Sequence, residues 1–246
     1  MQEIELLNRL QEFIKSGDAG NIALAFELGK GQNISAEQLL PPWEPLLKFL
    51  EAYYLDFINI RKETPTQILS KIVSTTELSS IVQFDQKTIK KLPESIGLMV
   101  NLRELDLGNN HLSTLPKSIK HLEHLGFLNV ISNNIKSLPK ELKLLSNLDK
   151  IFWSSNDIQI LPSRLNFPSN LKFLTLDGNR LKKVPPSLGN YADLKFLNLS
   201  NNLLETIPKS LFKLDHLKKL HLEENRLSRK EKQKIKKNLP NCTIYF

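Results

Sequence analysis

The apolar residues of this chain recur in a pattern that restarts every 23 residues. The first clear copy begins at Leu102 with LRELDLGNNHLSTLPKSIKHLEH, and the same skeleton restarts at Leu125, Leu148, Leu171, Leu194 and Leu217. With each copy numbered from position 1, apolar residues occupy positions 1, 4, 6, 11, 14, 18 and 21. A fixed period of this length indicates a repeat protein in which each copy is one structural unit.

Within each copy, the apolar residues first alternate with polar ones and are then irregularly spaced. Positions 4 and 6 alternate with mostly polar neighbours, so their side chains share one face of a short strand, and the other apolar positions follow an irregular return. One copy cannot bury that face alone. Stacked copies gain about 1.5 to 3 kcal/mol per large buried side chain before the entropy of ordering is counted. Stability is therefore expected to be a property of the stack.

Asparagine at position 9 and proline at position 15 accompany this skeleton. The asparagine amide is expected to bond the backbone of its own and the next turn as an internal ladder. The proline fixes φ on the return, where no sheet donor is needed. Trp153 replaces a leucine at position 6 and is expected to be an oversized core residue. The ladder consists of Asn110, Asn133, Asn156, Asn179, Asn202 and Asn225, and the prolines are Pro116, Pro139, Pro162, Pro185 and Pro208.

A degenerate copy precedes the six clear ones. It runs from Ser79 to Met99 with Lys87 at position 9, and it places Ile81 and Gln83 on the outward side of a first strand. The last copy is truncated after Leu227. The chain is therefore expected to have three parts, which are residues 1–78, seven repeats over 79–227, and a C-terminal segment over 228–246.

The consensus LxxLxLxxNxLxxLPxx[LI]xxL resembles the leucine-rich repeat and covers about two thirds of the chain. The chain is similar to bacterial cytosolic leucine-rich-repeat proteins, and residues 16–34 resemble the helical lead-in of some of them. The resemblance implies an α/β solenoid, a right-handed horseshoe with a parallel sheet on its concave face. It further implies an all-helical N-terminal cap and a C-terminal cap made of a helix and a strand.

Both ends of the chain carry signals that fit such caps. Ile4, Leu7, Leu10 and Ile14 follow helical spacing, and residues 1–78 are expected to form four or five helices. At the other end, Ser228 and Glu231 form a capping box that opens a helix over 229–238. Leu239 and Pro240 stop this helix, and residues 242–246 are expected to form a last strand.

The net charge of +8 is unevenly distributed. Residues 1–78 hold 7 Lys/Arg and 11 Asp/Glu, whereas the remaining residues hold 27 and 15. The excess cations are expected on the convex back and one edge of the solenoid, where they either keep the protein in solution or bind nucleic acid or anionic lipid. They fall at positions 16 and 2, as Lys117, Lys140, Lys209, Arg103, Lys172, Lys195 and Lys218.

The compartment is expected to be the cytoplasm. Cys242 is the single cysteine and cannot form an internal disulfide, and Glu3 and Glu5 stand where a secretory signal would carry Lys or Arg. No apolar run approaches the roughly 18 residues that a membrane span needs. We expect a monomer or a weak dimer.

Aromatic residues mark the candidate binding surface. Side chains at positions 3, 5 and 7 point away from the core, and strands about 4.8 Å apart would bring these aromatics into one contiguous patch with Lys150 inside it. Alternatively, the rings merely stiffen the sheet by cross-strand pairing. The patch comprises Phe127, Phe152, Phe173 and Phe196, and further candidate contacts are Glu104, Asp106, Asn129, Asp177, Asn198, His221 and Glu223.

These features favour a non-catalytic module that binds a protein or peptide on the concave face. Family analogy suggests a small GTPase or another signalling protein as partner. Carboxylates beside the patch argue against nucleic acid there. We expect no enzyme activity, cofactor or metal, since His121 and His124 lack a carboxylate ligand pattern and Cys242 beside the last strand should be buried. An enzymatic or effector role for residues 1–78 is the remaining alternative.

Overall fold

The computed structural model describes residues 89–246, the strand Glu77–Ser79 and single positions among the first 32 residues. The helical cap expected over 1–78 thus lies almost entirely outside the described residues. Leu10 and Ala25, which are helical and buried, belong to the same apolar cluster as the core of the repeats.

Eight short strands of the described residues form one parallel sheet in chain order. From the second to the seventh strand, each occupies positions 3 to 5 of its repeat, which confirms a strand around position 4 but ends it before position 6. The strands are β1 (Glu77–Ser79), β2 (Glu104–Asp106), β3 (Phe127–Asn129), β4 (Lys150–Phe152), β5 (Phe173–Thr175), β6 (Phe196–Asn198), β7 (Lys219–His221) and β8 (Thr243–Tyr245).

The returns contain short 3-10 helices that follow the position-15 prolines. Each proline is the N-cap, with φ between −71° and −68°, so its fixed torsion angle sets the start of the helix. The helices are η1 (Glu94–Leu98), η2 (Lys117–His121), η3 (Lys140–Leu144), η4 (Pro186–Asn190) and η5 (Lys209–Lys213). The return after β4 has none, and there Phe167 is buried with its backbone N–H donating to Tyr191 Oη at 3.2 Å.

The core consists of the apolar positions of the repeat. Leu105, Leu128 and Leu174 at position 4 have no exposed surface, and Trp153 at position 6 has none either. Trp153 is therefore the core residue that its position predicts. Stacking buries the same positions in successive repeats, as expected for a solenoid.

The position-9 asparagines join each repeat to the one before it. Asn156 Oδ1 accepts a hydrogen bond from Ile135 N–H at 2.9 Å, and its Nδ2 donates to the Val130 carbonyl at 2.9 Å. The same amide donates to the Ser154 carbonyl of its own bend at 3.0 Å. The partner turn is the preceding one and not the next, which corrects the direction expected for the ladder.

The first strand lies four residues earlier than the 23-residue pattern predicts. Glu77 pairs with Glu104, a separation of 27 residues, so the strand expected around Ile81 and Gln83 is misplaced, and both residues lie outside the described ones. The return of this repeat follows the 23-residue pattern again at position 11, since Ile89 N–H donates to Asn110 Oδ1 at 2.8 Å. Lys87, which stands at position 9 of this repeat, has no side-chain amide for the ladder.

The C-terminal segment forms a helix, α1 (Arg229–Asn238), followed by β8. Ser228 Oγ accepts a hydrogen bond from Glu231 N–H at 3.2 Å, as in the capping box. Ile235 is buried against the end of the core. Strand β8 then pairs with β7 and places Tyr245 opposite His221.

Candidate functional site: the outward face of the sheet

The strands present one row of side chains to the core and two rows outward. In β3 and β6 the central leucine is buried while the residues on both sides of it are only half-buried. We call the outward side chains at positions 3, 5 and 7, together with Tyr245 of β8, the sheet face. Phe127, Phe152, Phe173 and Phe196 all lie on it and none belongs to the core, which confirms the predicted orientation.

The aromatic rings of the sheet face form two groups and not the single patch that the sequence predicts. Phe127 contacts Phe152 with ring centroids 5.3 Å apart. The second group is a row in which Phe173 stacks on Phe196 at 6.3 Å, Phe196 contacts His221 at 5.4 Å, and His221 stacks on Tyr245 at 4.2 Å. Among the described residues no ring contact joins Phe152 to Phe173.

The division follows from the geometry of neighbouring strands. Phe127 and Phe196 at position 3 each contact a ring at position 5 of the following strand. A contact from Phe152 to Phe173 would instead run from position 5 to position 3 of the following strand, which is the opposite diagonal. The twist of a sheet makes the two diagonals unequal in length. Lys150 lies between the groups, opposite Phe127 on one side and Phe173 on the other, and is exposed.

Several polar candidates hold the turns after their strands. Asp106 Oδ1 accepts hydrogen bonds from Gly108 N–H and from Asn129 Nδ2, both at 2.9 Å. Asn129 Oδ1 and Asn198 Oδ1 in turn accept from the backbone N–H two residues later, at 2.9 and 3.0 Å. This Asx-turn role was missed by the sequence reasoning, although polar residues at position 5 before a bend are a signal for it.

The acidic candidates near the second aromatic group differ in what they contact. Asp177 Oδ1 accepts a hydrogen bond from Ser154 Oγ at 2.5 Å. Glu223 Oε1 lies 3.0 Å from His221 Nδ1, whereas its buried Oε2 has no hydrogen-bond partner within the described part of the chain. Glu104, beside the first aromatic group, is exposed. The sheet face therefore combines half-buried rings with carboxylates at its margins.

Tyr245 extends the sheet face beyond the residues that the sequence singled out. Its side chain is 38% exposed and its ring lies within 9° of parallel to that of His221. The predicted last strand was enough to place Tyr245 on the sheet face, because a strand paired in register with β7 has its alternate residues on the same side.

A shallow depression of about 410 Å³ lies where β2, β3 and β4 begin. Gly126 stands there at position 2, where the other clear repeats carry a charged side chain, so the absence of a side chain opens the surface beside Phe127. The lining combines cations and carboxylates, namely Arg103, Glu104, His124, Gly126, Phe127, Asn147, Asp149 and Lys150.

The cations at position 2 are interleaved with acids. Lys172 Nζ lies 2.9 Å from Asp149 Oδ2, and the hydrogen bond to this carboxylate is the main reason that the pKa of Lys172 is raised. Glu123, Asp193 and Asp215 lie two or three residues before position 2 of the next repeat in the sequence. Lys172 is therefore neutralised by its neighbour, whereas Arg103, Lys195 and Lys218 are exposed and have no ion pair with another described residue.

The described residues contain no group of three or more His, Cys, Asp and Glu side chains placed to hold a metal ion. Cys242 is half-buried, and burial raises the pKa of its thiol to about 11. The thiol is thus protonated near neutral pH, which disfavours it as a nucleophile. No helix in the described part of the chain is long and apolar enough to cross a membrane.

Comparisons with known families identify the repeats. The leucine-rich-repeat family matches residues 169–227, and a second leucine-rich-repeat pattern matches residues 101–122. No curated protein sequence matches this chain.

Solved structures share the fold. A leucine-rich-repeat protein of Leptospira interrogans is 31% identical and superposes with a TM-score of 0.60 over 72% of this chain and 50% of its own. An internalin of Listeria monocytogenes is 23% identical, with a TM-score of 0.56 over 63% of this chain and 44% of its own. This chain therefore spans about half the length of the structures it resembles.

Proposed function

Because this chain is a leucine-rich-repeat protein similar to bacterial ones, we propose that it is a non-catalytic module that binds a protein or peptide on its sheet face. The leucine-rich-repeat fold is a general protein-interaction module. The observation that carries the proposal is the aromatic row Phe173, Phe196, His221 and Tyr245, whose rings touch in sequence across four strands outside the core.

The length and composition of this row suit an extended segment of a partner. Four strands about 4.8 Å apart give a row about 14 Å long, which matches four or five residues of extended chain. Aromatic rings supply a large contact area at low entropic cost and are common anchors at interfaces. Asp177 and Glu223 at the same margin favour a partner with basic or polar side chains next to its apolar ones.

The first aromatic group offers a second anchoring point. Phe127 and Phe152 lie beside the exposed Lys150 and Glu104, so this end of the sheet face combines rings with charges of both signs. The depression at Gly126 adjoins it. A partner that reaches both groups would cross Lys150, which is the boundary between them.

The test is a double substitution in the second group. Capture of interacting proteins on the immobilised full chain identifies the partner, and the affinity for that purified partner is then measured. Phe173→Ser with Phe196→Ser is expected to reduce binding by at least about 100-fold, since buried aromatic anchors contribute 2 kcal/mol or more each. The thermal midpoint should stay nearly unchanged, because neither ring belongs to the core.

A matched control removes two apolar side chains elsewhere. Leu144→Ser with Ile160→Ser changes residues that are 53% and 78% exposed in the returns, away from the sheet face. This variant should bind the partner like the unsubstituted protein. Unchanged affinity of the Phe173 and Phe196 variant would overturn the proposal.

Further assignments go with this proposal, and the class of partner among them rests on family analogy. We place the protein in the cytoplasm, with a small GTPase or another signalling protein as the class of partner. Residues 1–78 would act as the N-terminal cap of the repeats over 79–227, and residues 228–246 as the C-terminal cap.

A further inference from the structure

Positive charge is concentrated in the returns of the repeats. We define the return face as positions 12 to 20 of each repeat, from Lys90 onward. These positions hold twelve Lys/Arg and three Asp/Glu, whereas the other repeat positions between 99 and 227 hold eight and ten. The cations of the return face are Lys90, Lys91, Lys117, Lys120, Lys136, Lys140, Lys143, Arg164, Lys182, Lys183, Lys209 and Lys213.

These cations are available to a partner. All twelve are exposed, and none of them takes part in an ion pair with another described residue. Glu94, one of the three acids, already accepts hydrogen bonds from the backbone N–H groups of Lys117 and Ser118 at 3.2 and 2.9 Å. The described part of the chain therefore leaves the positive charge of this face without a compensating ion pair.

Two exposed aliphatic side chains lie among these cations. Leu144 is 53% exposed beside Lys143, and Ile160 is 78% exposed four residues before Arg164. Since more than half of each residue is exposed, neither side chain contributes much to the core. Exposed aliphatic side chains on a lysine-rich face match the two layers of a bilayer surface, which presents anionic headgroups above hydrocarbon.

We propose that the return face binds the surface of a lipid bilayer that contains anionic lipids. The lysines would meet the headgroups, and Leu144 and Ile160 would enter the boundary with the acyl chains. This proposal is independent of the proposed function, because it uses a different face and a different class of partner. The sheet face lies on the other side of the repeat core, so it would remain free for a protein partner.

Three observations favour lipid over nucleic acid on this face. Eleven of its twelve cations are lysines, which act as point charges, whereas arginine is the residue suited to bidentate recognition of bases and phosphates. The face lacks an open aromatic platform for base stacking among its described residues, since Phe167 is buried and Phe212 packs against the core below Lys234. Exposed aliphatic side chains have no role against a phosphate backbone.

Vesicle sedimentation of the full chain tests the proposal. The protein is expected to sediment with vesicles of phosphatidylcholine and phosphatidylglycerol and to stay in the supernatant with phosphatidylcholine alone. Raising the salt concentration should release the protein, because salt screens the attraction between the lysines and the anionic headgroups. Equal sedimentation with both vesicles would overturn the proposal.

Substitutions assign the binding to the face. Lys117→Gln, Lys120→Gln, Lys140→Gln and Lys143→Gln in one variant should lower the partition coefficient by about 100-fold or more, since each lysine near an anionic surface contributes about fivefold. A matched variant with the same net charge carries Arg103→Gln, Lys195→Gln, Lys218→Gln and Lys219→Gln, and should lose less than about fivefold. Equal losses in the two variants would show that total charge, and not this face, determines binding.

The aliphatic residues distinguish a bilayer from other polyanions. Leu144→Ser with Ile160→Ser should lower vesicle binding by about tenfold or more, because each side chain loses its transfer into the acyl region. A double-stranded DNA oligonucleotide serves as the competing ligand. Tighter binding to this DNA than to the anionic vesicles, with no effect of the two serine substitutions on either ligand, would replace the lipid with nucleic acid.

Discussion

At the level of single residues, the asparagine at position 9 does more than mark a bend. Its amide satisfies one backbone N–H and two or three carbonyls that the bend turns inward, and those groups belong to two successive repeats. An aspartate could not donate these bonds, and an alanine could make none of them. The residue therefore recurs in every clear copy because the buried backbone of the bend requires both a donor and an acceptor.

Asn156→Ala measures how much one asparagine of the ladder contributes to the free energy of unfolding. Ile135 N–H loses its acceptor in a buried place, and the Val130 and Ser154 carbonyls each lose one of two donors, so the free energy of unfolding should fall by about 2 kcal/mol. Asn134→Ala is the control, because Asn134 is exposed and its loss should change stability by no more than about 0.5 kcal/mol. Urea denaturation measures both, and similar values for the two variants would contradict the role assigned to the ladder.

At the level of elements, the 3-10 helices of successive returns touch closely where glycine allows it. Gly189 in η4 faces Ser210 in η5, and Gly97 in η1 faces Ser118 in η2 in the same way. A Cβ built on Gly189 would lie 2.6 Å from Ser210 Cβ and would overlap the Ser210 carbonyl oxygen. Backbone atoms cannot move aside as a side chain can, so the small residue sets the distance between these two returns.

Gly189→Ala should therefore separate η4 from η5 and lower the free energy of unfolding by about 1 to 3 kcal/mol. Gly126→Ala is the matched control, because its Cβ would have no neighbour closer than 3.7 Å and should leave stability unchanged within about 0.5 kcal/mol. Thermal and urea denaturation give both values. A Gly189→Ala protein as stable as the control would show that the returns can shift without cost.

At the level of the whole molecule, the sheet and the core run through all described repeats without interruption. The eight strands pair only with their neighbours in the chain, and the buried residues form one cluster. Each repeat is thus stabilised by the interfaces on its two sides. A defect in one repeat should be felt in the adjacent ones.

Leu174→Ala in β5 tests this coupling. The side chain has no exposed surface, and its truncation should cost about 2 to 5 kcal/mol. Hydrogen exchange should then accelerate in β4 and β6 as well as in β5. Ile160→Ala, at an exposed site, should leave exchange unchanged, and acceleration confined to β5 would contradict coupling between repeats.

The repeat made much of the fold predictable. Positions 3 to 5 of each clear copy are strands, position 4 is buried, and Trp153 lies in the core, because the same local chemistry recurs and each stacked copy meets the same surroundings. The prediction failed at β1, where the copy is degenerate and Lys87 replaces the asparagine. Pairing with β2, and not the residue count, determines where that strand lies.

The sequence by itself determined which side chains leave the core, because alternation in a strand depends only on the order of residues. Tertiary structure alone decided which of these side chains touch. It divided the phenylalanines into two groups, engaged Asp106 with Asn129, and added Tyr245 to the row that begins at Phe173. Contacts between strands depend on twist and on side-chain direction, which the spacing of residues along one chain does not specify.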